Sequence, residues 1–125
     1  MRFTTEKSEI VQTLQMSAAI AERRQTIPIL SNLRIVAKDE ILEITATDLE
    51  IQIITKLKIK SVFEPGETTV SARKMAELCR SLPDNKSLDF SLINGKLSVT
   101  SNNFHADFST IAASDFPELQ KSEIT

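Results

Sequence analysis

The amino-acid sequence predicts an α+β domain in which two helices pack on one side of an antiparallel sheet. Two segments carry the spacing of apolar residues that is typical of an amphipathic helix, and some eight short segments show strand-like patterns. Hairpin turns rather than helical crossovers join most of the strands, which excludes a doubly wound parallel sheet. The β-α-β-β-β order occurs twice, although the two halves share no obvious sequence identity.

The first half begins with a short strand at residues 2–5 and continues with a helix over residues 8–24. Its core-facing stripe comprises Ile10, Val11, Leu14, Ala18 and Ala21. The other side is small and uncharged, which is unusual for a solvated helix, and it carries Gln12, Thr13, Gln15 and Ala19. Ser8 suits the N-cap position, and Pro28 prevents the helix from continuing.

A meander of three strands follows, at residues 33–37, 41–48 and 51–60. The second strand alternates Leu42, Ile44 and Ala46 with Glu43, Thr45 and Thr47. The third places Ile51, Ile53, Leu57 and Ile59 on one face and Gln52, Lys56, Lys58 and Lys60 on the other. Turns are predicted at residues 39–40, 48–50 and 64–67, the last of which contains a Pro-Gly pair.

The second half repeats this order. A strand at residues 68–70 leads into a helix over residues 72–82, which Ser71 caps and Pro83 ends. The apolar stripe of this helix consists of Met75, Leu78, Cys79 and Leu82. Strands are predicted at residues 87–93, 96–101 and 104–111, joined by the hairpin pair Asn94-Gly95 and by Asn102-Asn103. Phe104, Ala106 and Phe108 should face inward.

The amino-acid composition is typical of a globular protein. The 125 residues are 41% hydrophobic and 26% charged, which suits one domain, residues 1–125, with its own core. The net charge of −2 supplies no global attraction to nucleic acid, so any contact with a polyanion must come from local patches. A single cysteine, Cys79, excludes an internal disulfide, and no signal-peptide core or membrane-spanning run is present; a cytoplasmic protein is expected.

The sequence offers little for catalysis. Only two glycines are present, too few for a phosphate-cradling loop, and one histidine with one cysteine cannot build a structural zinc site. His105 should point outward from an alternating strand, with Asp107 on the same face. Asp48 and Glu50 lie in a turn, where carboxylates commonly bond to the backbone. We predict no enzyme, no metal and no cofactor.

Two groups of arginines are candidates for phosphate contact. Arg73 and Arg80 are seven residues apart and share a face of the second helix, where Glu77 can pair with Arg73; a solvated helix face explains them equally well. Arg23 and Arg24 precede a proline-stiffened loop and can grip phosphate bidentately. Alternatively, they complement the C-terminal dipole of the first helix.

Several motifs resemble one known family. The segments "TIPILSNLRI", "LEITATDLEIQI", "PGETTVSARKMAELCRSLP" and "STIAASDFPEL" closely resemble the N-terminal domain of bacterial DNA polymerase III beta subunits, the sliding clamps. The resemblance extends in register from "MRFT" to "DFPEL". It implies a DNA clamp domain of the processivity fold, the first of three such domains in a subunit whose homodimer encircles duplex DNA.

The resemblance also implies roles for individual residues. It implies DNA contact, without base reading, for Arg24, Arg23, Arg73 and Arg80. It implies ring closure by edge-to-edge pairing of the last strand, with Ala106 and Phe108 as apolar contacts, Lys74 and Lys96 as nearby cations, and His105 in the interface. Asn103 and His105 stand at positions where better-known members of the family can carry basic residues. DNA polymerase III and the clamp loader would bind the full-length protein.

Three functions are therefore considered. The first is a non-enzymatic DNA tether that makes a replicative polymerase processive. The second is a protein-interaction module that works through its sheet edge, independently of DNA. The third is a small enzyme that uses Asp48 or His105.

Overall fold

The computed structural model describes residues 1–21, 28–83, 87–102 and 104–117. Two α-helices lie within these ranges, α1 (Lys7–Ala21) and α2 (Ala72–Ser81), together with 3-10 turns at Pro28–Ser31 and Ala113–Asp115. The strands are β1 (Arg2–Glu6), β2 (Asn32–Lys38), β3 (Ile41–Thr47), β4 (Gln52–Lys58), β5 (Ser61–Glu64), β6 (Gly66–Ser71), β7 (Ser87–Ile93), β8 (Lys96–Ser101) and β9 (Phe104–Ser109). The predicted α+β class is confirmed.

The strands form two antiparallel sheets where one was predicted. The first has the order β5-β1-β7-β8-β9 and the second the order β4-β3-β2-β6. The first strand of each half therefore pairs with strands of the other half: β1 pairs with β7, and β6 pairs with β2. Alternation along a strand predicts which side chains are buried but carries no information about which strand lies alongside, so this exchange was missed.

The extra strand β5 also departs from the repeated order. It pairs with β1 at the edge of the five-stranded sheet, in a register interrupted between Arg2 and Phe3. Phe63 of β5 points to solvent with 62% of its surface exposed, and the Arg2 guanidinium lies 5.3 Å from its ring centre. A short strand with an exposed phenylalanine shows no inward apolar alternation, which is why the sequence pattern did not reveal it.

The turns predicted at residues 39–40, 48–50 and 94–95 are present. At residues 64–67 the prediction was wrong, because only Pro65 separates β5 from β6, and Asn103 of the predicted Asn102-Asn103 turn lies outside the described residues. Asp39 and Glu40 have φ of 52° and 63°, and Asn94 and Gly95 have φ of 51° and 75°. Positive φ at both central residues matches the right-handed twist of the flanking strands. Asp48 accepts backbone hydrogen bonds from Glu50 (2.9 Å) and Ile51 (2.8 Å), so its carboxylate organises a turn.

The start of α1 differs from the prediction. The helix begins at Lys7, so Ser8 lies in its first turn and is not the N-cap. Glu9 closes the helix start, because its Oε1 accepts the Glu6 backbone N–H at 2.9 Å and the Thr5 hydroxyl at 3.1 Å. Thr13, expected on the open side, is buried at 7% exposure. The prediction for α2 holds, since Ser71 Oγ accepts the Lys74 backbone N–H at 3.3 Å.

One core cluster joins both helices to both sheets. Phe3 of β1 stacks on Phe90 of β7 with ring centres 4.6 Å apart and ring planes 10° from parallel. Other fully buried members include Ile10 and Leu14 of α1, Met75 and Cys79 of α2, Ile35 of β2, and Leu42 and Ile44 of β3. Because this cluster is continuous, the described residues form one folding unit.

The chain after β9 returns to the four-stranded sheet. Thr69 of β6 and Ile111 exchange two backbone hydrogen bonds of 3.2 Å, and the Thr69 hydroxyl donates to the Ile111 carbonyl at 2.6 Å. Asn32 donates to that hydroxyl at 3.1 Å, and Phe116 beyond it is buried. These contacts hold the described C-terminal residues against the edge of the second sheet.

Candidate nucleic-acid interface

The two α-helices lie side by side and share a surface groove. It is lined by Gln15 and Ala18 of α1 and by Arg73, Ala76, Glu77 and Arg80 of α2. Gln12, Gln15 and Ala19 are exposed on α1, as predicted for its uncharged side. The structure therefore places the uncharged side of α1 and the two arginines of α2 on one surface, which we call the helix face.

The charges of the helix face are partly paired. Arg73 Nε donates to Glu77 Oε1 at 3.0 Å, one helical turn apart, and their side chains are 68% and 49% exposed. Arg80 is exposed on the same side of α2. Among the described residues of this face, Arg73, Lys74 and Arg80 stand against the one carboxylate of Glu77. This face therefore attracts anions locally, although the whole chain carries a net charge of −2.

A second groove adjoins the first. Arg73, Lys74 and Glu77 line it from α2, together with Ala21 at the end of α1, Ser31 and Ser71. Arg23 and Arg24, predicted to contact DNA, lie outside the described residues. They fall in sequence between Ala21 and Ser31, which both line this second groove.

Lys7 is a residue of this region that sequence reasoning missed. It is buried, and its Nζ donates to the Arg80 carbonyl at 3.3 Å and to the Leu82 carbonyl. The first helix thus supplies a cation to the last carbonyls of the second, where the helix dipole favours positive charge. A lysine at the start of an amphipathic helix carries no sequence signal for this role.

On the outer face of the edge strand β9, polar side chains are hydrogen-bonded to one another and to side chains of the neighbouring strand β8. His105 points outward, as predicted, with 57% of its side chain exposed, and its Nε2 lies 3.0 Å from Asp107 Oδ1. Its Nδ1 lies 3.1 Å from the Thr100 hydroxyl, and Ser98 donates to Asp107 at 2.5 Å. The Ser98 hydrogen bond lowers the pKa of the Asp107 carboxyl, and the nearby charges of His105 and Lys96 lower it further.

Of the residues expected at a subunit interface, most lie on or beside β9, but Lys74 lies elsewhere. Ala106 and Phe108 are half-buried on the inner side of β9, and Phe108 packs against the core. Lys96 lies opposite Ser109 at the start of β8, whereas Lys74 is on α2 beside the second groove. Among the described residues, β9 has β8 as its neighbour on one side and forms that edge of its sheet.

Two other features concern metal binding and membrane spanning in residues 1–21, 28–83, 87–102 and 104–117. Within those ranges, no three His, Cys, Asp or Glu side chains are placed to hold a metal ion together. Neither described α-helix is long and apolar enough to cross a membrane.

Two helices sharing a groove, backed by two antiparallel sheets, define the class of DNA clamp domains. The protein-family model for the N-terminal domain of the DNA polymerase III beta subunit matches residues 1–120. The chain belongs to that family.

Named relatives agree with this assignment. The chain is 37% identical over 121 residues to the beta sliding clamp of Pseudomonas putida, covering 97% of this chain and 33% of the relative. It is 36% identical over 119 residues to the beta sliding clamp of Escherichia coli K12, covering 95% of this chain and 32% of the relative. The chain therefore spans about a third of the length of these curated relatives.

Solved structures show the same fold. The DNA polymerase III subunit beta from Pseudomonas aeruginosa superposes with a TM-score of 0.93 at 35% identity, covering 98% of this chain and 33% of that one. The pol III beta of Caulobacter crescentus superposes with a TM-score of 0.91 at 31% identity, covering 96% of this chain and 32% of that one.

Proposed function

We propose that this chain is the N-terminal domain of a sliding clamp, a ring that encircles duplex DNA and tethers a replicative polymerase without catalysis of its own. The observation that carries this proposal is the helix face, where an uncharged side of α1 lies beside the arginines of α2. In a ring, such a face would line the hole. Two further domains of this kind would follow in the same subunit, and two subunits would close the ring.

The weak charge of the helix face suits such a role. Each phosphate contact releases counterions and adds salt-dependent attachment, so many contacts would resist movement along DNA. A ring holds its substrate by enclosure, and a net acidic chain with a small cationic patch is then sufficient. Arg73 and Arg80 would touch phosphates from α2, and Arg24 with Arg23 would do so from the segment that follows α1 in sequence. DNA sequence would not be read.

The β9 edge would close the ring. An edge strand can accept a strand from another subunit through backbone hydrogen bonds. Ala106 and Phe108 would supply apolar contact, with His105, Lys74 and Lys96 contributing polar groups around it. DNA polymerase III and the clamp loader would act on the complete protein. A cytoplasmic location suits the free thiol of Cys79.

The deciding experiment compares the lifetime of the complete protein, expressed from its whole reading frame, on nicked circular DNA and on the same DNA cut once. We expect retention on the circle at about 0.15 M salt and rapid loss from the linear form, because only free ends release a closed ring. Arg24→Ala combined with Arg73→Ala should weaken loading and make it less salt-dependent, by about two units of slope in log K against log salt.

Arg34→Ala is the matched control, because Arg34 lies on the outer face of the four-stranded sheet and pairs with Glu67. It should leave loading unchanged. Equal lifetimes on circular and linear DNA would exclude encirclement. They would favour the protein-interaction module instead, for which the open edge of β9 is the supporting observation.

A further inference from the structure

Glu77 occupies a central position on the helix face. Its Oε1 accepts from Arg73 Nε at 3.0 Å, and it lines both grooves of this surface. Arg80 follows it by three residues and lines the first groove with it, while Lys74 precedes it by three and lines the second. Among the described side chains, one carboxylate thus stands beside three cationic groups, at a surface expected to face a polyanion.

We infer that Glu77 is a positioning residue that limits how strongly the helix face grips DNA. The hydrogen bond from Arg73 Nε to the Glu77 carboxylate holds the Arg73 side chain along the surface of α2, toward the next helical turn. The negative charge of Glu77 also reduces the attraction of the helix face for phosphate. This inference rests on the proposed function. It assigns to Glu77 the task of keeping attachment weak enough for movement along the duplex.

The chemistry of the pair supports this role. An exposed ion pair between residues four apart on a helix contributes little to stability, so conformational stability alone does not require a carboxylate here. Removing the carboxylate charge would make the net charge of the helix face more positive by one and so strengthen its attraction for phosphate. Each additional phosphate contact makes log K against log salt steeper by about 0.9.

The four-stranded sheet provides a matched pair for comparison. Arg34 Nη2 lies 2.9 Å from Glu67 Oε1 on the outer face of that sheet, and the Glu67 side chain is 49% exposed, as is that of Glu77. Glu67→Gln therefore changes the net charge of the chain by the same amount as Glu77→Gln and breaks the same kind of ion pair. It does so away from the helix face.

The test measures binding of this chain to a short fluorescent duplex by anisotropy, in a salt series that starts at about 20 mM. We expect weak binding by the unaltered chain. Glu77→Gln should tighten it about fivefold at the lowest salt and steepen the salt dependence by about one unit, while Glu67→Gln changes affinity less than twofold. Arg73→Ala should weaken binding and flatten the salt dependence.

The variants distinguish a failure of the proposed DNA interface from a failure of the proposed role of Glu77. If Arg73→Ala leaves binding unchanged, α2 does not face DNA and the proposed interface itself is wrong. If Arg73→Ala weakens binding but Glu77→Gln gains no more than Glu67→Gln, the interface stands and the role of Glu77 is overturned.

Discussion

Cys79 shows how the core controls a single ionisable residue. Its side chain is fully buried in the cluster between α2 and the sheets. Burial raises the pKa of its thiol from 9.0 to about 12, and the positive charge of Lys7 offsets only part of that effect. A thiol held protonated in this way behaves as a small apolar side chain.

This burial predicts a loss of stability at high pH. Above pH 9 the thiol of the unfolded chain releases its proton while the folded chain keeps it, so the unfolded state binds fewer protons. The free energy of unfolding should therefore fall as pH rises toward 12, by up to about 1.4 kcal/mol per pH unit from this group. Urea unfolding at about pH 8 and about pH 10.5 would measure the fall.

Cys79→Ala is the comparison. It should be less stable at neutral pH because it leaves a cavity, but it should lack this part of the pH dependence. If the difference in unfolding free energy between the two chains is the same at both pH values, Cys79 is not shielded as described.

Among the secondary-structure elements, α1 and α2 are joined by one buried cation. Lys7, the first residue of α1, donates to the carbonyls of Arg80 and Leu82 at the end of α2. Helix ends leave carbonyls without intrahelical partners, and burial makes such groups costly unless they are bonded. The lysine therefore fixes the place where α2 ends against α1.

Replacing Lys7 by Met should destabilise the domain by roughly 2 kcal/mol, because two carbonyls near the end of α2 lose their buried donor. Chemical denaturation would measure the change. Lys56→Met is the control, because the Lys56 side chain is 69% exposed and its ion pair with Glu43 is long, with 3.9 Å between Nζ and Oε2. The free energy of unfolding should change by no more than about 0.5 kcal/mol in this variant. Equal losses for both substitutions would contradict the structural role of Lys7.

For the whole molecule, the exchange of first strands links the two halves. β1 completes the sheet formed by β7, β8 and β9, and β6 completes the sheet formed by β2, β3 and β4. The junction between the halves is also close-packed: a Cβ built on Gly66 would lie 2.7 Å from Met1 Cβ. Neither half has a complete sheet or a closed core of its own.

Unfolding of the chain should accordingly be a single cooperative transition. Two fragments, residues 1–65 and 66–125, should each be largely unfolded alone, because separation removes the Phe3–Phe90 stack and the β1–β7 and β2–β6 ladders. Circular dichroism and denaturant titration of each fragment would measure this, with the uncut chain as control. A fragment that alone shows native-like structure and a cooperative transition would contradict the linkage.

Most predictions that depended on local patterns succeeded. Ser71 was recognised as a cap and Asn94-Gly95 as a hairpin, because their signals lie within a few residues of the structures they form. Ser8 was misplaced because the start of α1 is set by Glu9 and the preceding strand. The arginines of α2 could be assigned to one helix face, but not to a shared groove with α1.

The sequence by itself determined the class of the fold, the order of most elements and most of the residues that face inward, because hydrophobic periodicity and turn chemistry act over short distances along the chain. Only the tertiary structure decided the division into two sheets, the exchange of β1 and β6, and the burial of Lys7 against α2. The physical reason is that strand pairing and burial of a charge depend on partners distant in sequence. A residue's own neighbours do not encode which partner it meets.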